Sequence, residues 1–154
     1  MKFLFVMFIS ISCFGEPTIE EMMGPDKDGN GVRDDIDRYI DKEIKHKDQN
    51  KSFKQYAKYL RLGFKYYEDK EKSIKNTKAR LTSFECVSGI WKRRFPGWKE
   101  SQKYSEVLDE VELMMYNSRS SLKVKNMISR DFSGQVTGFA KSYKSTCEFK
   151  FEGK

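Results

Sequence analysis

The sequence predicts an all-α fold of about five helices in one disulfide-tied domain. Three observations predict it: apolar side chains recur at helical spacing, turn-forming residues separate these stretches, and two late cysteines can form a bridge. A chain of 154 residues suits one domain with a sizeable core. We divide it into a signal peptide (1–15), a linker (16–25), an aspartate-rich loop (26–37) and a helical domain (34–154).

The first fifteen residues have the pattern of a signal peptide. Lys2 precedes an apolar run from Phe3 to Ile9, and small residues at Cys13 and Gly15 suit cleavage after Gly15. The run is shorter than the roughly 20 apolar residues that a membrane-spanning helix needs. The alternative is lipoprotein processing at Cys13, although Ser10 stands where that signal prefers Leu, Val or Ile. We therefore expect a secreted or periplasmic protein, with a lipid anchor at Cys13 as the alternative.

The charge balance bears on the choice of partner. Cleavage would leave 154 − 15 = 139 residues with a net charge of +7 − 1 = +6, because Lys2 is the only charged residue removed. A positive surplus favours anionic partners such as phospholipid, cell-wall polymer or nucleic acid, and it is also typical of a solvated, lysine-rich surface. The cations are spread along every predicted helix, which differs from a dedicated nucleic-acid groove.

Residues 26–37 carry oxygen ligands in the register of a twelve-residue calcium loop. Calcium takes six to eight oxygens, and such loops supply them from positions 1, 3, 5, 7, 9 and 12. Gly31 stands at position 6, where the chain must turn sharply with a positive φ that glycine adopts at little cost. The predicted ligands are Asp26, Asp28, Asn30, the backbone carbonyl of Val32, Asp34 and Asp37.

This loop resembles the calcium repeats of thrombospondin type 3 modules, Asp-x-Asp-Gly-Asp-Gly-Ile-Gly-Asp-x-x-Asp, and is similar to dockerin and EF-hand loops. The match covers twelve residues and occurs once. Against the EF-hand pattern, Arg33 takes position 8, where an aliphatic residue is usual, and Asp37 replaces the bidentate Glu at position 12. The linker, closed by Gly24-Pro25, leaves little room for an entering helix. These departures argue against a calcium-triggered sensor and favour a constitutively filled site that pins the N-terminus to the first helix.

The segment from Asn30 to Asp35 carries a second, looser resemblance. The chain is similar to small exported bacterial proteins in which a loop of the kind Asn-Gly-Val-Arg-Asp-Asp precedes helices. That likeness implies export and calcium binding only.

The competing interpretation of the loop is a solvated turn in which Asp34 caps the following helix. The number of oxygens in register favours calcium. A cation would also neutralise like charges in the segment, so we expect ion binding and folding to be coupled.

The first two predicted helices follow the loop. Ile36, Ile40 and Ile44 place the first from about Asp34 to His46, and Asp48-Gln49-Asn50 breaks it. The second has the apolar stripe Phe53, Tyr56, Ala57, Leu60, Phe64 and Tyr67.

Three further helices complete the prediction. The third has Ile74, Thr77, Leu81, Phe84, Ser88 and Trp91 on one face and ends before Pro96-Gly97. The fourth has Tyr104, Val107, Leu108, Val111, Met114 and Met115, and the fifth runs from about Ser120 to Phe132. The tail after Gly134 is predicted to be irregular or a short strand.

Cys86 and Cys147 are predicted to form one disulfide. An export route leads to compartments in which disulfides persist, and the bridge would tie the tail to a central helix. Closing a loop of about 60 residues contributes roughly 4 kcal/mol in chain-entropy terms. His46 is the only histidine, in a charged run, which disfavours a cysteine nucleophile.

One surface candidate lies at the end of the third helix. Trp91, Arg93, Arg94 and Trp98 interleave rings with cations, a pattern that can contact an anionic surface, a sugar or a base. The same residues also suit a helix end and a tight corner packed by two indole rings.

The sequence contains no recognisable catalytic motif. Our leading hypothesis is an exported, calcium-binding, non-enzymatic envelope or secreted module that binds a macromolecular partner or an anionic cell-surface polymer. The alternative is a calcium-dependent hydrolase of an envelope or host polymer, in which the ion serves as Lewis acid.

Overall fold

The computed structural model describes residues 16–94, 97–135, 137–138 and 142–151, without the side chains of 94 and 98–101. The predicted signal peptide and Cys13 lie outside this part of the chain. Within these ranges the chain forms six α-helices and one 3-10 helix, and no strand is present. The predicted all-α fold is therefore confirmed.

The five predicted helices all form, and one more precedes them. They are α2, α3, α4, α5 and α6, and the unpredicted α1 lies within the segment that we interpreted as a linker. In chain order the elements are α1 (Ile19–Met23), α2 (Asp34–Glu43), α3 (Lys47–Tyr66), α4 (Lys70–Arg94), α5 (Trp98–Met115), α6 (Arg119–Phe132) and the 3-10 helix Tyr143–Thr146.

Helix α1 forms because its first turn is capped in both directions. The backbone N–H of Glu21 donates to Thr18 Oγ1, while the Thr18 N–H donates to Glu21 Oε2 at 2.7 Å. The helix ends at Gly24, whose φ of +64° few other residues adopt at low cost. The Thr-x-x-Glu spacing was a signal in the sequence for this helix.

Helix α3 is the centre of the fold. It packs mainly against α4 and also contacts α1, α2, α5 and α6. Apolar side chains at helical spacing on each neighbour meet it in a single core. The fully buried members include Ile36, Ile40, Phe53, Ala57, Leu60, Phe64, Val87, Val111 and Met115.

The buried face of α4 differs from the predicted one. Phe84, which we placed on the apolar stripe, is 40% exposed, whereas Ser73 and Asn76, which we did not place there, are buried. The reason is that α4 is flanked by α3, α6 and the 3-10 helix, so its covered surface is wide and partly polar. A single apolar stripe does not describe a helix packed on several sides.

The C-terminal tail is fastened to α4 by the predicted disulfide. Cys86 and Cys147 are bonded, with their Cα atoms 5.2 Å apart and 61 positions apart in sequence. One turn along α4, Gly89 faces Tyr143 so closely that a Cβ would lie 2.2 Å from the Cβ of Tyr143. The tail takes the irregular form of our two alternatives, with the short 3-10 helix as its ordered element.

A buried amide on α3 completes the attachment of the tail. Gln55 Nε2 donates to the carbonyl of Thr146 at 2.9 Å, and Gln55 Oε1 accepts from the N–H of Glu148 at 2.9 Å. None of the helices in the described ranges is both long enough and apolar enough to span a bilayer.

Candidate metal centre

The predicted loop lies between α1 and α2 and rests on α3. Gly31 has a φ of +88°, as predicted for position 6, and a Cβ there would come within 3.1 Å of Lys58 Cγ. Val32, next along the chain, is 2% exposed and anchors the loop in the core. Packing of Gly31 against Lys58 and of Val32 in the core therefore holds the loop in place.

Three of the predicted ligands converge. Asp26, Asp28 and Asp34 each place one carboxylate oxygen within 4.8 Å of the others. Two oxygens bound to one calcium ion at 2.3–2.6 Å are separated by at most about 5 Å, so the three can share an ion. In the described residues this is the one such grouping of acidic, histidine or cysteine side chains, and it offers only oxygen. An all-oxygen donor set suits a hard cation.

Asp26, at position 1, has one carboxylate oxygen that accepts hydrogen bonds and one that accepts none. Its Oδ2 accepts from the Gly31 N–H and from Arg61 Nη1, both at 3.0 Å. Its Oδ1 is buried and accepts no hydrogen bond. A buried carboxylate oxygen without a partner is unfavourable, and a bound cation would supply the missing interaction.

Asp28 and Asn30 shape the loop through successive side-chain turns. The N–H of Asn30 donates to Asp28 Oδ1 at 3.2 Å, and the N–H of Val32 donates to Asn30 Oδ1 at 2.7 Å. The side-chain amide of Asn30 also donates to Asp28 Oδ2 at 2.8 Å. Asn30, a predicted ligand, is thus bound to a neighbouring ligand and to the loop backbone. These turns bring the carboxylates of positions 1 and 3 to the same side.

Asp34 does not cap the following helix. It is the first residue of α2, the cap position belongs to Arg33, and no side chain there accepts a capping bond. The Asp34 carboxylate instead reaches back across the loop, where its Oδ1 accepts from the Lys27 N–H at 2.9 Å. The competing interpretation of this carboxylate as a helix cap is therefore wrong.

Asp37, the predicted ligand at position 12, is held apart from these three. Lys54 Nζ lies 2.9 Å from Asp37 Oδ1 and 2.8 Å from Asp41 Oδ1. Burial opposes the charge on Lys54, but the close ion pairs with Asp41 and Asp37 outweigh it and raise the pKa of the ammonium. The same bond from Lys54 is the main cause of the lowered pKa of Asp41.

Arg33 has a structural task that the sequence did not reveal. It is 8% exposed, and its guanidinium binds Asp35 through two contacts of 2.6 and 2.9 Å. Burial would raise the pKa of Asp35, but the bond to Arg33 and its charge lower it. The departure from the aliphatic pattern at position 8 was the available signal, and we interpreted it only as a mismatch.

Helix α3 supplies the cations beneath the loop. Lys54, Lys58 and Arg61 recur at helical spacing, and Arg61 also donates to the carbonyls of Met23 and Gly24. The i, i+4, i+7 spacing was visible in the sequence, but only the fold shows that it faces the acidic loop.

The candidate surface of aromatic and cationic residues at the end of α4 does not form one patch, because the fold buries Trp91 and exposes Arg93. Trp91 is 7% exposed and packs with its ring centroid 5.1 Å from that of Tyr104, which places it in the core. Arg93 is exposed and stacks over the ring of Tyr143 at 5.6 Å. The side chains of Arg94 and Trp98 lie outside the described residues.

Comparison of the chain with protein-family models, with curated proteins and with solved structures finds no match. The resemblance of residues 26–37 to thrombospondin type 3 and EF-hand loops therefore stays a prediction. The geometry of the loop itself is what supports a metal site.

Proposed function

We propose that this chain is an exported, calcium-binding, non-enzymatic module whose filled loop fixes its N-terminal segment for contact with an envelope or cell-surface partner. The observation that carries the proposal is the convergence of Asp26, Asp28 and Asp34, and the buried Oδ1 of Asp26, which accepts no hydrogen bond, supports it. A divalent cation there would offset the repulsion among three close carboxylates.

The position of the loop supports a structural role for the ion. Through Arg61 the loop is tied to the end of α1 and to α3, and through Val32 it enters the core. An ion bound to Asp26 and Asp34 would join the start of the loop to the first turn of α2. The site would then stabilise the fold, as ion binding coupled to folding requires.

Thermal unfolding with and without calcium tests this role. If the dissociation constant lies in the extracellular range of about 0.1–1 mM, 10 mM calcium stabilises the protein by about 1.4 kcal/mol or more. We expect the midpoint to rise by a few degrees in calcium and to stay unchanged in sodium chloride of equal ionic strength. Asp26→Asn and Asp28→Asn should remove the rise, while Asp109→Asn, an exposed carboxylate on α5, should keep it.

The partner is tested separately. The immobilised protein is incubated with envelope extract in calcium, in chelator, and as the Asp26→Asn variant. A macromolecule retained only by the wild-type protein in calcium supports the module, whereas cleavage of an envelope polymer by the wild-type protein favours the hydrolase alternative.

A further inference from the structure

We propose that Lys54 competes with the cation for Asp37 and thereby sets the affinity of the loop 26–37. This inference rests on the proposed function, because it concerns the regulation of that same calcium site. It begins from the difference between the two ends of the loop, each of which meets a cationic side chain of α3.

At position 12 the predicted ligand, Asp37, already forms an ion pair with Lys54. Lys54 Nζ bridges Asp37 Oδ1 at 2.9 Å and Asp41 Oδ1 at 2.8 Å, two acids one turn apart on α2. The side chains of Lys54 and Asp37 are 25% and 18% exposed, so water screens their attraction less than that of a surface pair. Asp37 is accordingly drawn toward α3.

At position 1 the arrangement is different. Asp26 already lies in the grouping with Asp28 and Asp34 while Arg61 binds its Oδ2. A cation can therefore bind Asp26 while the bond to Arg61 persists. Asp37 lies outside the grouping of Asp26, Asp28 and Asp34, so it has to turn away from Lys54 to reach an ion that those three hold.

The surroundings of Lys54 make such an exchange feasible. If Asp37 turns toward an ion, Lys54 keeps its contact with Asp41, which also accepts from Asn50 Nδ2 at 2.9 Å. The ammonium is thus never left without a counter-charge, which would be costly at a shielded position. Calcium binding still loses one ion pair, so the affinity is lower than the donor set alone would give.

A general effect of positive charge near an acidic loop has to be separated from direct competition. Lys58 provides the matched control, because it lies one turn further along α3 and packs against Gly31. Its ammonium pairs with Glu148 at 2.9 Å in the tail. Lys54→Met and Lys58→Met each remove one charge under the loop, but only the first releases a predicted ligand.

Calorimetric titration of the full chain with calcium chloride tests the inference. We expect Lys54→Met to bind calcium about tenfold more tightly than the wild-type protein, and Lys58→Met to differ from it by about twofold or less. Asp37→Asn should bind more weakly, and adding Lys54→Met to Asp37→Asn should bring a gain no larger than that of Lys58→Met. Lys54→Gln serves as a second variant, and circular dichroism checks that each protein is folded.

The outcomes are distinct. Equal gains for Lys54→Met and Lys58→Met, in proteins that bind calcium, would overturn the competition and leave the calcium site in place. Binding by Lys54→Met without measurable binding by the wild-type protein would support the competition. No binding by any folded protein in the series, Lys54→Met and Lys54→Gln included, would overturn both this inference and the proposed function.

Discussion

Arg33 Nη2 donates a hydrogen bond of 2.6 Å to the carbonyl oxygen of Met114, 81 positions further along the chain. Met114 lies in the last turn of α5, where backbone carbonyls have no partner within the helix. The same guanidinium group binds Asp35, so one side chain connects the loop, the first turn of α2 and the end of α5. The residue that least fits an EF-hand pattern thus connects three parts of this fold.

Arg33→Lys tests how much these contacts of Arg33 contribute to stability. A lysine carries one ammonium group and cannot bind Asp35 at two points while also reaching Met114. We expect the free energy of unfolding to fall by about 1–3 kcal/mol, measured by urea denaturation. Arg38→Lys, at an exposed position on α2, is the control and should be close to neutral. Equal stability of the two variants would show that the Arg33 contacts contribute little.

The disulfide should account for a large part of the stability. Replacing Cys86 and Cys147 together by serine removes a cross-link over 61 positions, and we expect a loss of about 4 kcal/mol. Reductant should destabilise the wild-type protein in urea denaturation and leave the double variant unchanged. A wild-type protein insensitive to reductant, with the bridge shown by mass spectrometry to be broken, would contradict this prediction.

Gly89→Ala should loosen the tail. The new Cβ would lie 2.2 Å from Tyr143 Cβ and 2.3 Å from Tyr143 Cγ, so the 3-10 helix has to shift away from α4. Such overpacking costs about 1–3 kcal/mol, and hydrogen exchange at residues 143–148 should accelerate. Gly138→Ala is the control, because a Cβ at Gly138 meets no atom within 4 Å. Unchanged exchange in Gly89→Ala would mean that the tail does not depend on this contact.

Glu112 should contribute to the loss of stability in acid. Tyr56 Oη donates to its Oε1 at 2.6 Å and Lys125 Nζ to its Oε2 at 2.8 Å. Burial would raise the pKa of Glu112, but these two bonds outweigh it and lower the pKa below 4.5. The stabilisation is therefore complete above pH of about 4.5 and is lost as the pH falls through the lower folded-state pKa.

Glu112→Gln checks the sign of this effect. The variant should be less stable than the wild-type protein at neutral pH, and the difference should shrink as the pH falls below about 4.5. Glu106→Gln, an exposed carboxylate on the same helix, serves as the control. A difference between Glu112→Gln and the wild-type protein that stays constant from pH 7 to pH 3 would contradict the prediction.

The sequence predicted the helices better than their contacts. The isoleucines of α2 and the stripe of α3 are strongly periodic, and their burial follows from that pattern. Helix α1 was missed because five residues carry little periodicity, although its Thr18 and Glu21 capping pair was visible.

The candidate site was likewise predicted only in part. The convergence of Asp26, Asp28 and Asp34 follows from local spacing, which a sequence displays directly. The pairing of Asp37 with Lys54 and of Asp26 with Arg61 depends on where α3 lies, and local spacing contains no information about that. Trp91 was ambiguous for the same reason, since its burial depends on Tyr104 of α5.

Calorimetric titration of the purified protein with calcium tests the calcium site most directly, alongside Asp26→Ala and Asp28→Ala. We predict binding of one calcium ion with a dissociation constant in the range of about 0.1–1 mM, abolished or strongly weakened in both variants. Absence of binding to the folded wild-type protein at millimolar calcium, or equal binding by the wild-type protein and both variants, would contradict the assignment of the loop 26–37 as a calcium site.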